Sequence, residues 1–151
     1  DLWMSTSDGQ KLNEEWLSLA SCDIKMAALN MQWAKVDELN SDDERIVVWN
    51  WCSKKEGVSS EQLISKHDSI AEEYSDGLGN IGWATFHPII GGANAPGDFA
   101  HIVVYPDMKG LMEHQEWFAG GGWKARSDYY IYADCRGDEA FVETIMNRPE
   151  S

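Results

Sequence analysis

The chain has 151 residues, and its 26 acidic side chains outnumber its 12 basic ones to give a formal net charge of −14 at pH 7. Because this negative charge repels phosphate backbones and anionic lipids, neither nucleic acid nor a membrane is expected as a partner. No apolar run approaches the ~20 residues of a membrane span. No secretory leader is visible, so we expect a cytoplasmic protein large enough for one good core.

Cysteine and histidine spacing gives no sign of a metal centre. The three cysteines include no CxxC pair, and the four histidines show no HxxxH or HxH spacing. An odd cysteine count without a motif favours a reduced setting in which all three are small buried groups. The sequence therefore predicts no metal site and no tightly held cofactor.

Two segments near opposite ends of the chain are similar. Counted back from their cysteines, residues 16–22 align with residues 129–135, and an alanine, a cysteine and one aromatic position coincide. If this is a repeat, residues 16–22 form a strand, residues 1–44 are the tail of a preceding copy plus a linker, and residues 45–151 are one complete domain. The alternative is that residues 1–40 are a helical N-terminal extension, because apolar residues between Ile24 and Ala34 also fall at helical spacing.

From residue 45 onward the elements follow a regular order. Two helices are predicted, one opening at Ser59 and one from Pro106 to about Ala119, where three glycines should end it. Strands are predicted at residues 46–52, 81–87, 99–105 and 129–133, with residues 141–146 extending the last one. The order β-α-β-β-α-β predicts an α+β fold of the ferredoxin-like kind, with a four-stranded antiparallel sheet and both helices on one face.

Several short motifs carry a family resemblance. Trp49 and Cys52, His87-Pro88, the run Trp117-Phe118-Ala119-Gly120-Gly121-Gly122, and Asp134-Cys135 together resemble the dimeric α/β-barrel superfamily, and more narrowly its small uncharacterised members from marine bacteria. The resemblance spans about residues 45–146. It implies that two sheets pack face to face to close a barrel. Members include monooxygenases, isomerases, cyclases and haem-degrading enzymes, so fold alone does not select a chemistry.

Three histidines are candidate catalytic residues. His67 lies on the apolar stripe of the first predicted helix, which also suits a core histidine with one hydrogen bond. His87 and His101 fall on neighbouring predicted strands, where they either meet in a cavity or rim a subunit interface. The candidate substrate-binding residues are aromatic: Trp51, Tyr74, Trp83, Tyr105, Trp117 and Tyr129.

Two functions remain open at this stage. The first is a small-molecule-binding domain, or a cofactor-free monooxygenase-like or isomerase-like enzyme, acting on an apolar or aromatic compound. The second is a non-enzymatic module for oligomerisation or interaction. A sheet face left uncovered by its own helices would expose aromatic residues, so a homodimer or a pseudo-dimer is expected in either case.

Overall fold

The computed structural model describes residues 5–20, 26–41, 43–74 and 78–146. The helices are α1 (Ser7–Leu19), α2 (Val36–Ser41), α3 (Ser60–Tyr74), α4 (Met108–Trp117) and α5 (Trp123–Tyr129). The strands are β1 (Met26–Ala34), β2 (Glu44–Lys54), β3 (Gly82–Ile90), β4 (Phe99–Tyr105) and β5 (Ala133–Thr144).

The five strands form one antiparallel sheet in the order β1-β3-β4-β2-β5. The α+β class and the antiparallel pairing are confirmed. The four-stranded ferredoxin-like sheet, and the dimeric α/β barrel built from it, are wrong as a description of the fold, because β1 adds a fifth strand along β3. In the sequence, β1 shows apolar residues at helical spacing as well as β-compatible ones. Pairing with β3 decides between the two conformations, since tertiary contacts override weak local preference.

The core lies between the sheet and helices α3–α5. Strand β2, paired on both sides, alternates its side chains between the two faces. On the helix-covered face, Leu63 of α3 and Tyr129 of α5 pack with Cys52, and Tyr105 packs with Ile46. These contacts fix both helices over the middle of the sheet.

Hydrogen-bonded caps set where the two long helices of this layer begin. At α3 the Gln62 backbone N–H donates to Ser59 Oγ at 3.1 Å, and the Ser59 N–H donates to Gln62 Oε1 at 2.8 Å. This reciprocal pair is a capping box. At α4 the Gly110 N–H donates to Asp107 Oδ1 at 2.8 Å. Both helix starts therefore agree with the sequence prediction.

The strand predicted at residues 129–133 is wrong, because Tyr129 ends helix α5 and β5 begins only at Ala133. The three glycines do interrupt the helix, as predicted, because the non-helical backbone of Gly121 separates α4 from α5. They form one π-turn, Phe118–Gly122, in which Gly121 has φ 130°. A Cβ at Gly122 would clash with the Trp117 ring, so the missing side chain lets the chain bend tightly and start a new helix.

The strand predicted at residues 16–22 is also wrong where the structure describes it. Trp16 and the residues up to Leu19 are in helix α1, which Thr6 caps by accepting from the Gly9 N–H at 3.1 Å. Cys22, on which the likeness also depended, lies outside the described residues. The division of the chain at residues 44 and 45 stays a prediction.

Cys52 and Cys135 form a disulfide, so the prediction of reduced thiols is wrong for this pair. The two residues face each other directly in the β2–β5 register. They are 83 positions apart in the sequence and form no CxxC pair, so only the strand pairing reveals that they meet. Cys22 lies outside the described residues.

Two glycines bring the segment before β3 against the start of α4. Gly79 has φ 72°, and a Cβ there would clash with the Gly110 carbonyl oxygen. A Cβ on Gly110 would in turn lie 2.5 Å from the Gly79 carbonyl oxygen. This backbone contact has no room for a side chain on either residue, and it fixes the position of the next residue, Asn80.

We predict that Gly79→Ala destabilises the protein by more than about 2 kcal/mol, because it combines left-handed strain with a backbone clash. Gly57→Ala is the matched control: Gly57 has φ 81°, but no atom lies within 4 Å of its built Cβ. That variant should lose only the strain, roughly 1 kcal/mol. Urea unfolding of both variants measures the difference, and equal losses would show that the Gly79–Gly110 contact is not tight.

Candidate functional site

A cavity of about 200 Å³ lies between the sheet and helices α3–α5. Its lining is mainly apolar and aromatic, with Val48, Val103, Trp117 and Phe118 among the wall residues. A few polar side chains reach the same space. An apolar pocket with a small number of converging polar groups is the usual form of a small-molecule site.

Most of the aromatic residues predicted for a site do line this cavity. They are Tyr74, Trp83, Tyr105, Trp117 and Tyr129, and the predicted histidine His101 joins them. The remaining three candidates lie elsewhere: His67, His87 and Trp51.

Each of these three has a clear position. His67 is buried behind the cavity wall and hydrogen-bonds to Tyr129. The His87 ring stacks on Phe99, with ring centroids 5.6 Å apart. Trp51 packs edge-on against Phe86 on the opposite face of the sheet, so it does not contribute to this cavity. Its assignment to the substrate site followed from residue type, and strand alternation places it on the other side.

A chain of hydrogen bonds joins four residues from four different elements. Trp83 Nε1 donates to His101 Nδ1 at 3.0 Å. An indole N–H only donates, so His101 Nδ1 carries no proton, and the neutral ring is protonated on Nε2. His101 Nε2–H therefore donates to Tyr129 Oη at 2.9 Å. His67 Nε2 lies 2.8 Å from the same phenol oxygen and completes the chain.

Burial keeps this network uncharged. Desolvation, together with the nearby His67 and His87, lowers the pKa of His101 to about 3. Desolvation first, and then His87, lowers the pKa of His67 to about 4. Desolvation also raises the pKa of Tyr129 well above its usual range. All three groups are neutral at pH 7, so they present hydrogen bonds and not charges to the cavity.

A second histidine–tyrosine pair lies in the cavity wall, formed by His114 of α4 and Tyr105 of β4. The Tyr105 hydroxyl hydrogen-bonds to His114 Nδ1, and the His114 ring stacks on Phe118. Burial lowers the pKa of His114 to about 4 and raises that of Tyr105. The sequence analysis did not select His114. Its spacing from Leu111 and Phe118 on one helix face was the available signal.

Asn80 is the one side chain of the described residues that is buried with an unpaired polar atom. It is 6% exposed, it lines the cavity, and its Oδ1 accepts no hydrogen bond. Leaving such an acceptor unpaired costs about 1–3 kcal/mol. The sequence analysis missed this residue, because asparagine before a strand reads as ordinary turn chemistry.

The charged side chains that line the cavity are Arg126 and Asp138, and they pair with each other. Arg126 Nη1 lies 3.4 Å from Asp138 Oδ2, and Arg126 Nε donates to Tyr130 Oη at 3.0 Å. Asn50 Nδ2 donates to Asp138 Oδ1 at 2.8 Å. The two charges cancel, so the described lining has no net charge at neutral pH.

One group within the described ranges has metal-ligand atoms close together: Cys52, His101 and Cys135, whose ligand atoms all lie within 4.8 Å of one another. The sequence shows no such cluster, because three different strands supply the residues. In the disulfide form both sulfur atoms are bonded to each other. Both His101 nitrogens also take part in hydrogen bonds. Metal binding would therefore require reduction of the disulfide and the loss of a hydrogen bond.

Comparison with family models, curated proteins and solved structures found no match to this chain. Within the described ranges, no helix has the length and apolar character needed to cross a membrane. The chemistry of the site follows from its own geometry. The cavity offers neutral donors and acceptors, in an apolar space, that can hydrogen-bond to a bound molecule; the low pKa values of the histidines and the raised pKa of Tyr129 do not suit them to exchange protons at pH 7.

We predict that the protein loses stability as the pH falls from about 6.5 to about 4. The His67 pKa is about 4 when folded and 6.5 in its unperturbed state, so the unfolded chain binds the proton first. Its neutral form contributes on the order of 3 kcal/mol above pH 6.5, at about 1.4 kcal/mol per pKa unit, and this is lost by pH 4. Urea unfolding at several pH values measures the slope.

His67→Gln is the comparison variant, because it removes the titrating group while keeping a polar side chain near Tyr129. Its stability should depend less steeply on pH over the same interval. If the slope is unchanged, the buried His67 is not the source of the acid sensitivity.

Proposed function

We propose that this protein binds a small, uncharged, mainly apolar compound of about one ring that carries an N–H or O–H donor. The cavity between the sheet and α3–α5 is the binding site. The proposal leaves the prediction of a monooxygenase-like or isomerase-like enzyme untested, and it requires no cofactor.

The observation that carries this proposal is the unpaired Oδ1 of Asn80 in the cavity wall. Buried polar groups in native proteins nearly always have a partner, and an exception calls for a specific reason. A ligand donor supplies the missing hydrogen bond. The tight Gly79–Gly110 backbone contact beside Asn80 holds the amide in place for it.

Size and charge narrow the ligand class further. An empty apolar cavity of about 150 Å³ accepts benzene, and this cavity measures about 200 Å³. A single ring with one or two substituents therefore fits. A net charge on the ligand is disfavoured, because Arg126 and Asp138 already neutralise each other and the histidines are neutral.

The proposal is tested with pairs of ring compounds that differ only in their donor, such as phenol and methoxybenzene. The protein should bind phenol about tenfold or more tightly than its methyl ether, because only phenol donates to Asn80. Ligand-observed NMR or calorimetry measures the two affinities. Equal affinities would show that Asn80 does not select the ligand.

Asn80→Leu separates a binding role from a structural one. Replacing an unpaired amide by an apolar group of similar size should leave unfolding stability unchanged or raise it by up to about 1 kcal/mol. The same change should remove the preference for phenol over the ether. A marked loss of stability would instead assign Asn80 a structural role.

Self-association, the other predicted property, also has support in the described structure. Phe141, Leu29 and Met31 are 51%, 56% and 55% exposed. Their strand partners are Val47, Phe86 and Ala84, so they share the sheet face opposite the cavity. Trp49 packs on Phe86 in the same layer. These side chains form an apolar surface of the kind that subunits bury.

We predict that the protein is a homodimer at micromolar concentration and that Phe141→Glu shifts it toward monomer, because the charge would be buried at the interface. Val142→Glu is the control, because Val142 is 64% exposed and pairs with Ile46 on the other face of the sheet, so the same charge there should leave the association state unchanged. Sedimentation equilibrium gives the masses. A wild-type protein at 17.0 kDa over the whole concentration range would exclude the dimer.

A further inference from the structure

We propose that the Cys52–Cys135 disulfide is a redox-active centre that small thiols and disulfides reach through the cavity. This inference goes beyond ligand binding at Asn80, and it stands on different observations. They are the unequal access to the two sulfur-bearing residues and the way the strands hold them.

Access to the two cysteines is unequal. Cys135 is partly exposed and lines the cavity, whereas Cys52 is 1% exposed and packs in the core with Leu63 and Phe99. Thiol–disulfide exchange depends on which sulfur an attacking thiolate can reach. An attacking molecule in the cavity therefore meets Cys135, and Cys52 becomes the leaving and resolving group.

The thiol–disulfide exchange needs no reagent other than two small thiols. A small thiolate attacks Cys135 Sγ, the new sulfur–sulfur bond forms there, and the bond to Cys52 breaks. Cys52 leaves as a thiolate and takes a proton from solvent. A second thiolate attacks the small-molecule sulfur of the mixed disulfide, and Cys135 leaves as a thiolate that is protonated in turn. Two small thiols are oxidised to a disulfide, and the protein disulfide is reduced to two thiols.

The sheet holds the two cysteines together whether or not they are bonded. They face each other within a pairing of β2 and β5 that runs from Glu44 to Lys54 and continues on both sides of them. Opening the bond therefore does not require the strands to separate. Reduced Cys52 also has a hydrogen-bond acceptor in place, because Asn50 Oδ1 lies 3.4 Å from its Sγ. Both features make the exchange reversible.

Single-cysteine variants test the unequal access. In a Cys22→Ser background, Cys52→Ser leaves Cys135 as the reactive thiol and Cys135→Ser leaves Cys52. With a small neutral disulfide such as bis(2-hydroxyethyl) disulfide, Cys135 should react at least tenfold faster than Cys52. In the wild-type protein, 2-mercaptoethanol should form its mixed disulfide on Cys135, as peptide mass mapping reads out. Equal rates, or modification of Cys52, would overturn the proposal.

A cavity-filling variant tests the route. Ala125 lines the cavity from α5, so Ala125→Leu should slow the reaction of Cys135 about tenfold. Ala93→Leu, at an exposed position after β3 that does not line the cavity, is the control and should leave the rate unchanged. If Ala125→Leu folds normally and reacts at the unaltered rate, the cavity is not the route. These rates do not report on donor binding at Asn80, so the two proposals fail separately.

Discussion

The arrangement of the site depends on the hydrogen bonds made by the hydroxyl group of Tyr129. This hydroxyl lies between the imidazoles of His67 and His101, at 2.8 and 2.9 Å, and so connects α5 to α3 and to β4. Trp83 extends the connection to β3. A buried polar chain of this kind is stable only when each member has its partner, because an unpaired member would cost the full desolvation penalty. The positions of four elements are therefore coupled through one oxygen atom.

This coupling also explains the electrostatics of the cavity. The one-directional donation from Trp83 fixes the tautomer of His101, and burial keeps its imidazole neutral. A protonated His101 would place a second donor against the indole N–H, so the network itself opposes charge in addition to desolvation. The cavity can be polar at a few points while its apolar walls stay free of charge. The proposed ligand is neutral for that reason, despite the net charge of −14 on the chain.

Local patterns predicted the fold best where each element carried its own signal. The strands at Ile46 and Phe99 and the helix start at Ser59 follow from β-branched runs and caps, and the structure has them. The errors come from contacts between distant residues. β1 becomes a strand by pairing with β3, and Tyr129 becomes helical because the glycine turn at Gly121 redirects the chain. Neither contact has a signature within a window of a few residues.

The sequence indicates which residue types form the site, but not which buried atom lacks a hydrogen-bond partner. Aromatic residues and histidines are natural candidates for a ligand site in any sequence, and most of the chosen ones do line the cavity. Asn80 and the Cys52–Cys135 pair needed three-dimensional placement, since an amide in a turn and two cysteines 83 positions apart carry no local signal.

The polar groups around the cavity are almost all hydrogen-bonded, and Asn80 differs from them. Trp83, His101, Tyr129 and His67 satisfy one another, and Asn50 donates to both the Arg136 carbonyl oxygen and Asp138. A fold that pairs these groups so completely nevertheless leaves one buried acceptor without a partner, at Asn80, a residue that lines the cavity. Poor packing does not account for this, because the Gly79–Gly110 contact next to it is too tight to admit a methyl group. A ligand that donates a hydrogen bond to Asn80 would therefore recover the free energy that the unpaired acceptor costs.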